Sequence, residues 1–181
     1  MRIEKTPLKG CFIIYPELLS DGRGSFMESY NEVKFAQVTG VKPNFVQDNQ
    51  SISKKGVLRG FHFQQEPYSQ AKLVRVIKGA VQDVVVDFRK GSETFGQSFS
   101  TVLDENTNAQ LYIPKGFAHA FLALENNTIF AYKCDEYYNK HSEQGIRYND
   151  NSLKIKWLLP EDALIISEKD LLLPFFKELF P

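Results

Sequence analysis

The sequence predicts an all-β chain of sandwich, jelly-roll or small-barrel type, and three observations lead there. Short segments rich in β-branched and aromatic residues follow one another through most of its 181 residues, bounded by Gly, Pro, Asn or Asp. Fifteen Phe and eight Tyr suit pleated faces, where aromatic side chains pack well. Helical patterns are few and short, so the chain lacks the strand–helix alternation of a parallel sheet.

The predicted strands are FIIY, SFMESY, NFVQ, GVLRGFHFQ, KLVRVIKG, AVQDVVVDFR, QSFSTVL, AQLYIP, AFLALE, TIFAYKCDEY and LKIKW. The run LVRVIKGAVQDVVVDF reads as a hairpin turning at Gly79. A helix is predicted over 31–40, with Asn31 as its cap and Gly40 as its stop. A second, over 167–180, opens on a Ser cap and acids, and Pro174 shortens or breaks it. No repeat, low-complexity segment or linker interrupts the chain, so residues 1–181 read as a single domain.

Alternation also sorts the faces. Phe26, Glu28 and Tyr30 share one face, as do Val81, Asp83, Val85 and Asp87. In GFHFQ, Phe61 and Phe63 oppose His62 and Gln64. Faces that mix acids, His, Gln and aromatics predict a polar, aromatic-lined mouth at one end of a β-barrel or sandwich, a common ligand site.

Composition narrows the function. Lys plus Arg and Asp plus Glu both number 22, so no overall field favours nucleic acid, and any phosphate must be held locally. Cys11 and Cys134 lie in apolar runs and read as buried free thiols of a reducing compartment. The first ten residues have no apolar signal core, and the apolar runs are too short to span a bilayer. The expectation is a cytoplasmic protein with neither membrane nor nucleic-acid partner.

Only three histidines are present, and His141 falls in a polar surface loop, YNKHSEQG. His119 sits in PKGFAH, which has the spacing of a second cupin motif. The upstream His-x-His pair of a cupin metal site is missing, because Phe63 and Gln64 follow His62. Two histidines and Glu66 would make a poor first shell for zinc or iron, so no metal is expected. His62 is then a candidate general base. Lys72 opens a strand whose alternation partners are Val74 and Val76, so its amine is placed to stabilise a negative oxygen. Tyr132 shares a face with Phe130 and Cys134 and is a candidate proton donor or acceptor. No nucleophile elbow, P-loop or dinucleotide motif occurs.

In DGRGSFMESY, FVQDNQSISKKGVLRGFHFQ, QAKLVRVIKGAVQDVVVDFRKGSETFG, IPKGFAHAF, YKCDEYYNKHSE and ISEKD, the chain resembles the dTDP-4-dehydrorhamnose 3,5-epimerases. The resemblance implies a cupin-type jelly roll (a double-stranded β-helix) with a few short peripheral helices, a homodimer, no cofactor and a dTDP-linked 4-keto sugar as substrate. It implies His62 as proton acceptor, Asp170 as the carboxylate that orients it, Lys72 facing the C4 oxygen and Tyr132 as proton donor. Arg23, Phe26, Glu28, Gln47, Asn49, Arg59, His119, Glu143 and Lys169 match substrate-binding positions, and Tyr138 a tyrosine at the nucleotide end. Of these, Arg23 and Arg59 suit the diphosphate. The alternatives are a 3- or 5-epimerase of another 4-keto deoxysugar, and a metal-dependent cupin.

Two departures stand out. The chain reads AHAF where the family usually reads AHGF, which places the Ala120 methyl, on the sequence expectation, at the pocket wall. Met27 stands where an aromatic is usual. From the residues alone, Asp83 on a neighbouring strand is a second candidate to orient His62.

Overall fold

The computed structural model describes residues 1–180. Its strands are β1 (Arg2–Lys5), β2 (Phe12–Tyr15), β3 (Leu18–Asp21), β4 (Gly24–Met27), β5 (Gln47–Ser53), β6 (Leu58–Gln64), β7 (Lys72–Lys78), β8 (Ala80–Asp87), β9 (Ser98–Asp104), β10 (Gln110–Ile113), β11 (Phe117–Ala123), β12 (Thr128–Cys134) and β13 (Glu143–Gly145). A six-stranded sheet, β1-β2-β10-β7-β12-β5, faces a five-stranded sheet, β13-β6-β11-β8-β9, and β3 and β4 form a separate ribbon. The pairings between these strands are antiparallel, as in a jelly roll.

The inner faces follow the alternation. Val74, Val76, Val81, Val85, Leu103, Leu111, Phe121 and Phe130 fill the space between the sheets. The opposite face of β8, Val84 and Val86, is covered by Phe88, Trp157, Phe176 and Phe180. That second cover explains why β8 is buried along its whole length and reads as a nearly continuous apolar run. Outside the larger sheet, helix α1 (Glu32–Thr39) docks Phe35 against Ile14, Leu73 and Tyr112.

Both predicted helices form as read. The Asn31 side chain accepts from the Lys34 N–H, and Gly40 ends α1 in the left-handed region at φ 72°. The C-terminal pattern breaks into α2 (Glu168–Leu171), capped by Ser167, and α3 (Phe176–Leu179). Pro174 lies between them and lacks the N–H a continuous helix would need.

Four readings are corrected. The turn at Gly79 is not a hairpin: β7 pairs with β10 and β12, whereas β8 pairs with β9 and β11, so the chain crosses from one sheet to the other. A Cβ at Gly79 would lie 2.5 Å from Thr128 Oγ1, and its φ is +82°, so the crossing needs glycine. LKIKW is no strand; it leaves a 3-10 turn at Asn151–Leu153 and packs Ile155 and Trp157 on the outside of the smaller sheet. SFMESY stops being a strand at Met27, so Glu28 and Tyr30 lie beyond it. NFVQ contributes only Gln47 to β5.

Candidate active site

The mouth of the sandwich is built by residues from both sheets. From the five-stranded sheet come Arg59, His62, Asp83 and His119; from the six-stranded sheet come Asn49, Lys72 and Tyr132. A cavity of about 520 Å³ between them is lined by Arg59, His62, Lys72, His119, Phe121, Phe130, Tyr132, Lys169 and Asp170. An adjoining lobe of about 300 Å³ shares His62, Lys72 and Tyr132 and adds Gln47, Asn49, Gln64, Tyr138 and Glu143.

Strand register sets these neighbours. His62 on β6 is the direct cross-strand partner of His119 on β11, and Tyr132 on β12 is the partner of Asn49 on β5. Gly60 allows β6 and β11 to approach: a Cβ there would come within 2.5 Å of the His119 carbonyl oxygen. Ala120 points away from the cavity into the outer apolar cluster with Phe61, Val84 and Val86. Its methyl is therefore not at the pocket wall, contrary to the sequence expectation.

His62 Nε2 lies 2.8 Å from Asp170 Oδ1, although 108 residues separate them. Asp170 sits on α2, where Ser167 accepts its backbone N–H, and its second oxygen lies 3.4 Å from the Gly60 N–H donor. Burial alone would raise the Asp170 carboxyl, but the His62 contact and the Gly60 N–H outweigh it and hold the group below the ordinary range. With Nε2 so engaged, Nδ1 is the His62 nitrogen left for a ligand. Asp83, the second candidate for this role, meets His119 instead: His119 Nε2 is 3.1 and 3.0 Å from its two oxygens.

Lys72 Nζ lies 5.9 Å from the Tyr132 ring centroid. Burial pushes the Lys72 amine below its ordinary value, against weaker pulls from Cys134, Asp83 and Glu143. Burial raises the Tyr132 phenol and Cys134 adds to it, while Arg59 acts in the opposite sense. In the smaller lobe, Glu143 accepts from the Tyr138 hydroxyl at 3.0 Å and from Lys169 at 2.6 Å. These two contacts offset its burial and keep its carboxyl below the usual value. Gln47 Oε1 accepts the Tyr138 N–H, and its Nε2 donates to Asn49.

Three expected site residues are not brought to this cavity. Arg23 is paired with Asp21 on the β3–β4 ribbon, and Phe26 is exposed on the same ribbon. Glu28 is bound by Lys34 and Asn31. Sequence reasoning misses Ser167 as part of the site's support, although a Ser cap ahead of Asp170 is the available signal; it finds Asp83 but assigns it to His62 rather than to His119. Among the described residues, no three His, Cys, Asp or Glu side chains converge as metal ligands.

Fold and cavity define the class, a cupin-type jelly roll with an acid–base pocket between its sheets. One step finer, the chain belongs to the family described as dTDP-4-dehydrorhamnose 3,5-epimerase, whose model matches residues 5–178. It is 46% identical over 171 residues to the dTDP-4-dehydrorhamnose 3,5-epimerase of Shigella flexneri, covering 94% of this chain and 93% of that one. The crystal structure of dTDP-4-dehydrorhamnose 3,5-epimerase from Elizabethkingia anophelis superposes with a TM-score of 0.95 at 49% identity, covering 98% of this chain and 97% of the other. The Legionella pneumophila dTDP-6-deoxy-D-glucose-3,5-epimerase, solved with dTDP-4-keto-L-rhamnose, gives 0.93 at 43% identity, over 99% and 94% of the two chains.

Proposed function

We propose that this protein epimerises C3 and C5 of a dTDP-linked 4-keto-6-deoxyhexose, converting dTDP-4-dehydro-6-deoxyglucose to dTDP-4-dehydrorhamnose. The observation that carries the mechanism is that His62 and Tyr132 project from opposite sheets into one cavity. Inversion needs a base on one face of a sugar ring and an acid on the other, and these two strands supply them.

A C4 ketone acidifies the neighbouring C–H bonds because the electrons left behind move onto oxygen. His62 takes the proton through Nδ1 while Asp170 fixes the ring and its tautomer, as the carboxylate does in hydrolase triads. Lys72 receives the charge that develops on the C4 oxygen. Tyr132 returns a proton from the far side. Tyr138, Gln47, Asn49, Glu143, Lys169 and Arg59 line the path for the nucleotide diphosphate, with Tyr138 at the base end. No step requires a cofactor or metal, and activity is expected to survive exhaustive chelation; loss on chelation with recovery on adding zinc, iron or manganese would refute this.

The chain acts as a single domain and as a homodimer in this reading. The β3–β4 ribbon pairs with no other strand and exposes Leu18, Leu19 and Phe26. A second copy offers a cavity where Arg23, Phe26 and Glu28 meet substrate. Two buried free thiols suit a cytoplasmic location. No helix among the described residues is long and apolar enough to cross a membrane.

The test is product stereochemistry. NMR of the product from dTDP-4-keto-6-deoxyglucose should show both centres inverted. Inversion at one centre alone would establish a 3- or 5-epimerase instead, and no conversion would overturn the reading.

A further inference from the structure

The carboxylate that serves His62 comes from neither sheet. Asp170 rides on a strap, residues 163–175, that borders the cavity after the last strand. Leu171 and Leu172 on this strap are 44% and 80% exposed, so apolar burial does little to fix the turn that carries Asp170. Hydrogen bonds on either side of it do that work. Before Asp170, the Ile165 N–H donates to the Gly56 carbonyl at 2.8 Å and the Leu58 N–H to the Ile165 carbonyl at 3.0 Å, a parallel bridge beside the start of β6. After Asp170, Arg147 takes hold. Its backbone N–H donates to the Pro174 carbonyl at 2.9 Å and its Nε to the Leu173 carbonyl at 3.1 Å, while its guanidinium lies 4.6 Å from the Phe175 ring centroid.

Arg147 belongs to the edge that also holds the base. Gly145 on β13 is the cross-strand partner of His62, and Ile146 and Phe61 each donate an N–H to the other's carbonyl at 3.1 Å. The run Gly145–Ile146–Arg147 therefore sets His62 through β6 and Asp170 through Leu173. The seat is close-fitting: a Cβ at Gly145 would lie 2.7 Å from Leu173 Cδ1. Asp150 accepts the Phe176 N–H at 2.5 Å and anchors α3 separately, so the C-terminal helix has its own hold. Arg147 lines neither lobe of the cavity and reaches the chemistry only through the strap.

We propose that Arg147 is a positioning residue whose Nε–H, donated to the Leu173 carbonyl, sets the Asp170 carboxylate against His62 and so supports proton abstraction. This rests on the epimerase reading for the role of His62. The side chain acts at a distance because the His62–Asp170 contact is a short hydrogen bond to a carboxylate, 2.8 Å long, and a small shift of Asp170 weakens it.

Two measurements test this. The first is a kinetic cycle on the full chain. Arg147→Met should lower kcat about 10–10²-fold, the scale of a slightly misplaced catalytic group, with KM little changed. In an Asp170→Asn background the same substitution should change kcat less than about twofold, because residues that act as one unit are not additive. Arg147→Gln keeps an N–H donor as many bonds from the backbone as Nε, where methionine has a methyl, and should recover most of the loss. Losses that multiply in the double variant, parent kcat in Arg147→Met, a raised KM at parent kcat, or no recovery in Arg147→Gln would each overturn the proposal. If Arg147→Met does not fold, Arg147→Thr, too short to reach Leu173, takes its place; failure of both to fold would make Arg147 a residue of the fold and overturn the proposal as well. The second is the crystal structure of the Arg147→Met protein. The His62–Asp170 contact should lengthen beyond hydrogen-bond range, or Asp170 should take more than one position. An unmoved Asp170 would overturn the proposal. Parent protein that fails to epimerise the sugar would sink the functional reading and leave the role of Arg147 in placing Asp170 to be decided by this structure.

Discussion

The two ends of the sandwich interior are built on the same strands yet obey opposite rules. On β7, Val74 and Val76 point into the dry end and Lys72 into the open end; on β12, Phe130 lies deep and Tyr132 nearer the mouth. At the dry end Val74, Val76, Leu103 and Leu111 stabilise the fold by leaving water. At the open end a desolvated lysine and two His–Asp pairs sit where apolar groups would be more stable. The difference teaches that the mouth is selected for chemistry at a cost in stability, as buried charge usually is.

That contrast predicts which changes hurt activity and which hurt the fold. The largest effect is expected at His62. His62→Asn should lower kcat by about 10⁴-fold, the upper end for one acid–base group, without lowering the melting temperature. A variant that turns over at near-parent rate would remove His62 from the mechanism.

Lys72→Met follows, with a loss of about 10²–10³-fold for one missing oxyanion stabiliser. Its melting temperature should hold or rise, because a desolvated cation is replaced by an apolar side chain. A clear drop in stability would mean that Lys72 is a structural ion-pair partner.

At the dry end the pattern reverses. Leu103→Ala should cost about 3 kcal/mol of stability through lost burial and the cavity left behind, with kcat near parent. A variant that melts normally but turns over slowly would erase the division between the two ends.

The smallest effect is a pH dependence. The native Lys72 amine holds its proton less tightly than in the unfolded chain. Between its depressed value and the ordinary lysine value, the unfolded state binds more protons, so its contribution to stability rises with pH. Activity should fall across the same window as the cation is lost. Lys72→Met should abolish the stability difference; an unchanged stability–pH curve would contradict the assignment.

Much of this division is legible in the sequence, and the exceptions share a cause. The inward placement of Asp83 on β8, His62 on β6 and Tyr132 on β12 follows from alternation, which is local. The crossing at Gly79 is not, because a glycine between two strand-like runs looks the same whether the strands pair or separate into two sheets. Likewise no spacing links His62 to Asp170 or His119 to Asp83; the first pairing came from family resemblance, the second only from the register of β8 and β11. LKIKW alternates like a strand but finds no free sheet edge, and tertiary packing overrides its pattern.

The central claim is that base and acid reach the sugar from opposite sheets. Tyr132→Phe removes only a hydroxyl, so incubating it with dTDP-4-keto-6-deoxyglucose in deuterated water separates the two roles. NMR should show that deuterium still enters next to the ketone, because His62 continues to remove protons, while net inversion falls by about 10²–10⁴-fold. Inversion at nearly the parent rate would show that Tyr132 is only a packed aromatic and would contradict the account.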